Sequence, residues 1–329
     1  MGIFLLILQG VLVWNVENFF DYRNDSTSVS DREFSSLGER HWTKRRFYTK
    51  CNAFAKAVLW IASTEGGLPD VIGLAEVENA FVLRRAVGAT ALRKAGYKIV
   101  HYDSPDSRGI DVALLYRAPA VELVSSKAIH VDSLRTRDIL HVRLRARDGP
   151  ETDYFVCHLP SKYGGEKESL SRRARAVRRL QEAVDSVFCH SERMRENLLS
   201  SPTNEIRSAE GLGMTKEASG LGMTRRVIIM GDFNDTPDSP AFEELSRRFR
   251  SLAKPLAAKG LGTIRFDGRW DFIDHFYVSP GLETEMKPIQ VPFLMTPDRT
   301  HGGLKPLRTY SGPRYTAGVS DHLPILLIK

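Results

Sequence analysis

The chain has 329 residues, enough for about two average domains or for one layered α/β unit. With 42% hydrophobic and 26% charged residues it fits a folded soluble protein and excludes a disordered, collagen-like or multi-span membrane chain. Lys plus Arg outnumber Asp plus Glu by 47 to 40, and the net charge of +7 favours an anionic partner such as nucleic acid, a phosphorylated metabolite or an acidic lipid surface.

The opening run MGIFLLILQGVLVW is apolar. It reads as a first buried strand or as a truncated export signal, because a positively charged leader and a small-residue cleavage site are both missing. A membrane span needs about 20 apolar residues, so no stable membrane insertion is expected, and both a cytoplasmic and an exported location stay open. Between Lys44 and Ala62 the residues Phe47, Cys51, Phe54, Ala55, Val58 and Ile61 recur at three- and four-residue intervals and predict an amphipathic helix. Pro69 and Asp70 end that pattern. Val71–Ala75 then predicts a buried strand closed by Glu76, and Val82, Leu83, Ala86 and Val87 predict a second helix.

Further strands are predicted at Ile99–Tyr102, Ile110–Tyr116, Ile139–Leu144, Tyr154–His158, Val227–Met230, Phe272–Val278 and Pro324–Ile328. Several follow one another without a helix between, which predicts mixed or antiparallel sheets rather than a doubly wound parallel one. An Arg-rich helix is predicted over Leu170–His190. Ser200–Arg225, with GLGMT at Gly211–Thr215 and again at Gly220–Thr224, reads as an insertion or linker that carries no chemistry. Cys51, Cys157 and Cys189 are widely spaced and form no C-x-x-C pair, so neither a disulfide framework nor a zinc site is indicated.

Five strand-like runs end in residues of the kinds that bind divalent metal and move protons. VLVWNVENFF delivers Asn15 and Glu17, VIGLAEVEN delivers Glu76, YFVCHLPS ends in His158, VIIMGDFND delivers Asp232 and Asn234, and GVSDHLPI carries Asp321 and His322. WDFIDHFYVS places Asp274 in a further strand. Singly, each has a plainer reading as a cap or turn. Together, their carboxylates and carboxamides make an oxygen-rich set suited to Mg²⁺, Mn²⁺ or Ca²⁺, and hydrolysis is the reaction they imply.

WNVEN, GLAEVEN, GDFND and SDHLP, in this order from residue 14 to 324, resemble the ordered motifs of the endonuclease/exonuclease/phosphatase superfamily. That group includes deoxyribonuclease-I-like nucleases, apurinic endonucleases, sphingomyelinases and inositol polyphosphate 5-phosphatases. The WNVENFFD opening and the RTY-rich loop before SDHLP are most similar to its bacterial, functionally unassigned members. The resemblance implies a four-layer αββα sandwich of two mixed sheets, an α/β (α+β) catalytic domain spanning residues 1–329 with the insertion at 200–225. It also implies a metal-dependent phosphoesterase site at one sheet edge. In that reading Glu76 is the principal metal ligand, with Asn15, Glu17 and Asp321 beside it. Members often carry Asp where Glu17 stands, which leaves direct ligation and ligation through water both open. Asp232 and Asn234 correspond to the pair that orients the attacking water and holds the phosphate. His322 corresponds to the histidine on the scissile phosphate, with Asp274 orienting it. His158 stands where deoxyribonuclease-like members have histidine and apurinic endonucleases tyrosine, which leans away from apurinic-site repair.

The constellation is chemically coherent by itself, because in-line attack on a phosphodiester needs a positioned water, a proton acceptor and cations. Arg108 in DSRGIDVALLY offers a bidentate phosphate contact or an ordinary surface turn. Arg172, Arg175 and Arg179 share a helical face, with Arg173 and Arg178 nearby. Pro297–Tyr315 mixes Lys305, Arg308 and Arg314 with Tyr310 and Tyr315, and His41–Arg46 reads HWTKRR. Each of these segments suits a nucleic-acid backbone and its bases; the plainer readings are a solvated face for the helix, a long loop packed on the sheet edge for Pro297–Tyr315 and the opening of the first helix for His41–Arg46. Arg308 is expected at the reacting phosphate. The expected activity is that of a monomeric, metal-dependent phosphodiesterase, first of all a nuclease acting on DNA or RNA. A phosphatase or small phosphodiester hydrolase, and a catalytically dead nucleic-acid-binding module, are the alternatives.

Overall fold

The structure is a computed structural model that describes residues 10–23, 28–147, 149–162, 165–199 and 225–328. In chain order its strands are β1 (Val11–Phe19), β2 (Val71–Val77), β3 (Tyr97–His101), β4 (Asp111–Arg117), β5 (Val121–Ile129) and β6 (Ile139–Ala146). They continue with β7 (Glu151–His158), β8 (Arg226–Asp232), β9 (Arg250–Ser251), β10 (Ile264–Phe266), β11 (Arg269–Asp271) and β12 (Asp274–Val278). The last are β13 (Glu285–Pro288), β14 (Met295–Pro297), β15 (Leu304–Pro306), β16 (Tyr310–Ser311), β17 (Arg314–Tyr315) and β18 (Ile325–Ile328). The helices used below are α1 (Val29–Glu33), α2 (Lys44–Thr64), α3 (Ala80–Gly88) and α4 (Glu166–Leu199).

Two six-stranded sheets have the orders β13-β18-β1-β2-β4-β3 and β5-β6-β7-β8-β12-β9. Each contains one central parallel pair, β1 with β2 and β7 with β8, and its other pairings are antiparallel. A parallel pair needs a crossover connection, and α2 and α4 lie on the two crossovers. Side chains alternate across each strand as the period of two requires. Val11 and Val13 of β1 pack with Ile228 and Met230 of β8 between the sheets. Leu12, Trp14 and Val16 face the opposite way, onto Phe47, Phe54 and Val58 of α2. Val227 and Ile229 pack on Ala176, Val177 and Leu180 of α4. The layers therefore run helix, sheet, sheet, helix, as expected.

The predicted helix from Lys44 is α2, which runs two residues past Ala62. α4 extends beyond both ends of the predicted Leu170–His190. β5 escapes sequence patterning because it is an edge strand whose residues from Glu122 to Ser125 are exposed. The expected insertion at Ser200–Arg225 lies outside the described residues except for Arg225, which pairs with Asp153 at 3.3 Å. The apolar start lies outside them up to Gln9, and β1 takes up its remainder. Among the described residues no helix is long and apolar enough to cross a membrane.

Two expectations about basic segments need correction. Pro297–Tyr315 is not one long loop: it completes the hairpin β14/β15, which begins at Met295, and contains the hairpin β16/β17. Tyr310 is buried there against Phe34, Trp42 and Tyr315, so its ring is not free to stack on a base. Arg173 does not lie on the solvated face of α4. It is 1% exposed, pairs with Asp235 at 2.8 Å and donates to the Pro160 carbonyl.

Candidate active site

The C-terminal ends of the two parallel pairs carry most of the motif residues. Asn15 and Glu17 lie on β1, Glu76 on β2, His158 at the end of β7 and Asp232 at the end of β8. Asp274 opens β12 directly opposite Asp232 in register, and His322 bridges to Ile264 just before β18. The pleat alone would alternate these side chains between faces, and local irregularities redirect them. The β1–β2 register shifts between Asn15 and Phe19, and the β2–β4 register shifts between Ala75 and Val77. Glu17, Asn18, Glu76 and Asn234 all have left-handed backbones, with φ of 44°, 49°, 64° and 53°. Such conformations cost on the order of 1 kcal/mol each for residues with a Cβ, and they gather where function needs a particular aim. Gly231 has φ 138°, and a Cβ there would lie 1.9 Å from the carbonyl oxygen of Cys157, so only glycine lets β8 deliver Asp232 beside β7.

A continuous polar network joins the two sheets. Asn15 Nδ2 donates to Asp232 Oδ2 at 2.9 Å, and Asn15 Oδ1 accepts from the Glu17 amide at 2.9 Å. The Asn234 amide donates to Asp232 Oδ1 at 2.8 Å, while the Asn234 side chain is anchored on the Leu159 carbonyl. His158 Nε2 faces both Asp232 Oδ2, at 3.5 Å, and Glu76 Oε1, at 3.9 Å. His322 Nδ1 is 2.8 Å from Asp274 Oδ2, and its Nε2 looks toward Asp232 at 4.0 Å and Asp321 at 3.9 Å. Glu76 Oε2 accepts from the Asn18 amide at 2.7 Å and lies 3.5 Å from Arg108. Arg108 also donates to Asn18 Oδ1, so its half-exposed side chain borders the cluster rather than only making a surface turn.

Glu17 is engaged on both oxygens, by Arg308 Nε and by the Thr309 amide, each at 2.9 Å. Arg308 also reaches Asp321 at 3.2 Å. Thus all eleven sequence-selected residues converge, but Glu17 meets the group through Arg308, and the Asn234 side chain points to a backbone carbonyl.

Burial sets the protonation states. It pushes the Asp232 carboxyl up to about 7, with Asp274 adding to the rise while His322, Asn15 and the Asn234 amide oppose it. Burial disfavours a charged His322, but the carboxylates of Asp274, Asp232 and Asp321 outweigh it and hold that imidazole well above its ordinary value. His158 is held well below its ordinary value by burial and by Arg137, Arg108 and His322. Burial alone would raise Glu76, yet Arg108, the Asn18 amide, His322 and Arg137 bring its carboxyl below the usual range. The site therefore combines a neutral imidazole, a cationic imidazole, an ionised carboxylate and a carboxylate poised near neutrality.

Several supporting residues escape motif reading. Lys50 is buried, its ammonium donates to the Glu17 carbonyl and, at 2.8 Å, to Thr309 Oγ1, and burial lowers it to about 8. Its signal is a lysine on the apolar face of α2, between Phe47 and Cys51. Ser320 ties SDHLP to β1 by donating to the Asn15 carbonyl at 2.6 Å and accepting from the His322 amide. Trp14 Nε1 donates to the His322 carbonyl at 2.9 Å.

The sequence profile of the Endonuclease/Exonuclease/phosphatase family matches residues 10–204 and 221–329. The chain belongs to that family. Family members are metal-dependent phosphoesterases, with nucleases and phosphatases among them, and the chain is a hydrolase of this group. No match was found among curated proteins. Similar solved structures include an endonuclease/exonuclease/phosphatase family protein from Bacteroides thetaiotaomicron, with TM-score 0.52, 16% identity and coverage of 97% of this chain and 93% of that one. The human Nocturnin catalytic domain with bound sulfate anion has TM-score 0.53 at 17% identity, covering 97% and 91%. A mannosyl-6-phosphatase from Bacteroides thetaiotaomicron has TM-score 0.50 at 17% identity, covering 97% and 98%. These likenesses establish the shared fold.

The donor set fits a hard divalent cation. Its candidate ligands Glu76, Asn15 and Asp321 offer carboxylate and carboxamide oxygens, and Glu76 Oε1 accepts no hydrogen bond from a described residue; the carboxylates of Asp232 and Asp274 lie close together beside them, with the His322 ring as their partner. Asp274 Oδ1 is buried without a partner among the described residues, so a second acceptor remains inside the cluster.

Proposed function

We propose that the protein is a divalent-metal-dependent phosphodiesterase whose substrate class is nucleic acid. The observation that carries this reading is the meeting of Glu76, Asp232 and the Asp274–His322 pair, drawn from both sheets, in one cluster around His158. Mg²⁺ or Mn²⁺ bound there supplies charge neutralisation for the phosphate and the departing oxygen. Glu76, Asn15 and Asp321 are the residues suited to hold it, and Glu17 acts through Arg308 and Thr309.

Asp232, with its carboxyl at about 7, accepts the proton of the attacking water, and the Asn234 amide and Asn15 fix its orientation. Protonated His322 donates from Nε2 to a non-bridging phosphate oxygen while Asp274 holds the ring. His158, held below its ordinary value and so neutral, faces the two carboxylates through Nε2. Arg108 and Arg308 flank the cleft and complement phosphate charge. These arginines and the net charge of +7 favour a polyanionic diester over a small monoester.

The test is a panel in Mg²⁺ or Mn²⁺ of plasmid DNA, single-stranded DNA, RNA, bis-p-nitrophenyl phosphate and p-nitrophenyl phosphate. Turnover of nucleic acid and the small diester supports the nuclease reading. Turnover of the monoester alone replaces it with a phosphatase.

A further inference from the structure

Beside the cleft, the Glu17–Arg308 pair forms one wall of a hollow of about 230 Å³ that is also lined by Phe34, Arg40, Thr309 and Tyr310. A second hollow, of about 490 Å³, is lined by His41, Thr43, Arg45, Arg46, Thr49 and Tyr315. The two share a partition. Tyr310 and Tyr315 are cross-strand partners in the β16/β17 hairpin, with ring centroids 5.5 Å apart. Arg40 covers the Tyr310 ring at 5.3 Å and Arg46 covers the Tyr315 ring at 4.5 Å. Tyr310 donates its hydroxyl to the Arg40 carbonyl, and Arg46 Nη1 donates to the carbonyls of Arg40 and His41. The turn from Arg40 to Arg46 is thereby fastened onto the hairpin as one firm element.

The charge of this surface is mainly positive. Glu17 is taken up by Arg308, and Glu33 by Arg40 at 2.7 Å, leaving Glu39 as the other acidic residue of the turn. His41, Lys44 and Arg45 are exposed, and Arg45 has no ion pair among the described residues. The first hollow touches Glu17 and Arg308 of the site and reaches the turn at Arg40, and beyond the partition the unpaired guanidinium of Arg45 lines the second hollow as a ready phosphate contact. Tyr310 is buried and the half-buried Tyr315 ring is covered by Arg46, so the two tyrosines give the surface its floor rather than a stacking platform.

The geometry points to an extended polyanion track: a nucleic-acid strand with its scissile phosphate at His322 and Glu76 continues past Arg308 and Arg40 and over the His41–Arg46 turn. The protein then grips phosphates beyond the one it cleaves. This inference rests on the nucleic-acid reading above, and its test is separable from it.

Equilibrium binding of a fluorescent single-stranded DNA oligonucleotide, measured by anisotropy in chelator, reads the track without cleavage. The full-length parent is compared with Arg45→Gln, with the His41→Gln/Arg45→Gln double variant, and with Arg226→Gln. Arg226 is an exposed residue at the opposite end of β8 from Asp232, and its replacement controls for loss of one charge. Arg45→Gln should weaken binding about fivefold and reduce the slope of log affinity against log salt by roughly 0.7, the value for one lost phosphate contact on a single strand. The double variant should weaken binding further. Arg45→Gln indistinguishable from Arg226→Gln, or a parent that does not bind the oligonucleotide, overturns the track. A parent that binds it through Arg45 but cleaves no nucleic acid in Mg²⁺ or Mn²⁺ keeps the track and removes the nuclease reading.

Discussion

Asn15 on one sheet donates through Nδ2 to Asp232 Oδ2 on the other at 2.9 Å, and both residues are about 98% buried. This bond joins the end of one parallel pair to the end of the other, so the site depends on how the two sheets pack. Asn15→Ala deletes it together with the acceptor that holds the Glu17 amide. Turnover of a small phosphodiester should fall by at least about tenfold, the scale of misaligning a reacting group, with the thermal midpoint only modestly lowered. A folded Asn15→Ala protein with the parent kcat would confine this bond to structure.

Asp232→Asn and His322→Ala should each reduce kcat by roughly a hundredfold or more, as expected for losing a general base or a transition-state hydrogen bond. Asp274→Asn should be milder than His322→Ala, because it loosens and discharges the imidazole's support without deleting the ring. Circular dichroism establishes that each variant is folded. An Asp274→Asn defect larger than that of His322→Ala would mean that Asp274 acts on the substrate directly.

The motifs are legible because the chemistry restricts residue types at strand ends: GDFND needs Gly231 so that Asp232 can sit beside Cys157, and SDHLP needs Ser320 to latch onto β1. The strands that carry them are legible because Val11–Trp14, Val71–Ala75 and Val227–Met230 are buried on both faces. β5 is not, because an edge strand is free to be polar. The burial of Tyr310 is equally hidden, since Phe34 and Trp42 reach it from the far end of the chain. Arg173 resembles its exposed neighbours in sequence, and only its pairing with Asp235 sets it apart. The aim of Glu17 and Glu76 depends on bulges and left-handed backbones that no residue pattern announces.

His275, next in sequence to Asp274 but with its ring packed into the core, supplies a pH test of stability. Burial lowers its imidazole from 6.5 to about 4, and it stacks on Phe233 at 4.9 Å. The folded value lies below the unfolded one, so between pH 6.5 and about 4 the unfolded chain binds more protons and stability rises with pH. The contribution is complete above pH 6.5 and is lost as pH falls toward 4, on the order of 3 kcal/mol. Urea unfolding at pH 7 and pH 4.5 should show a smaller loss for His275→Gln than for the parent. Parallel losses in the two proteins would assign the acid sensitivity to other groups.

In the proposed mechanism Glu76 helps to hold a divalent cation required for phosphodiester hydrolysis. The most direct test of this role is the rate of bis-p-nitrophenyl phosphate hydrolysis as a function of Mn²⁺ concentration, for the parent and for Glu76→Gln, which keeps the side-chain shape while removing a charged oxygen ligand. Turnover should be absent in excess chelator and restored by Mn²⁺, with a midpoint for Glu76→Gln at least about tenfold higher in Mn²⁺, as expected for loss of a metal–carboxylate contact. Full activity in excess chelator, or superimposable Mn²⁺ curves for the two proteins, would contradict this role.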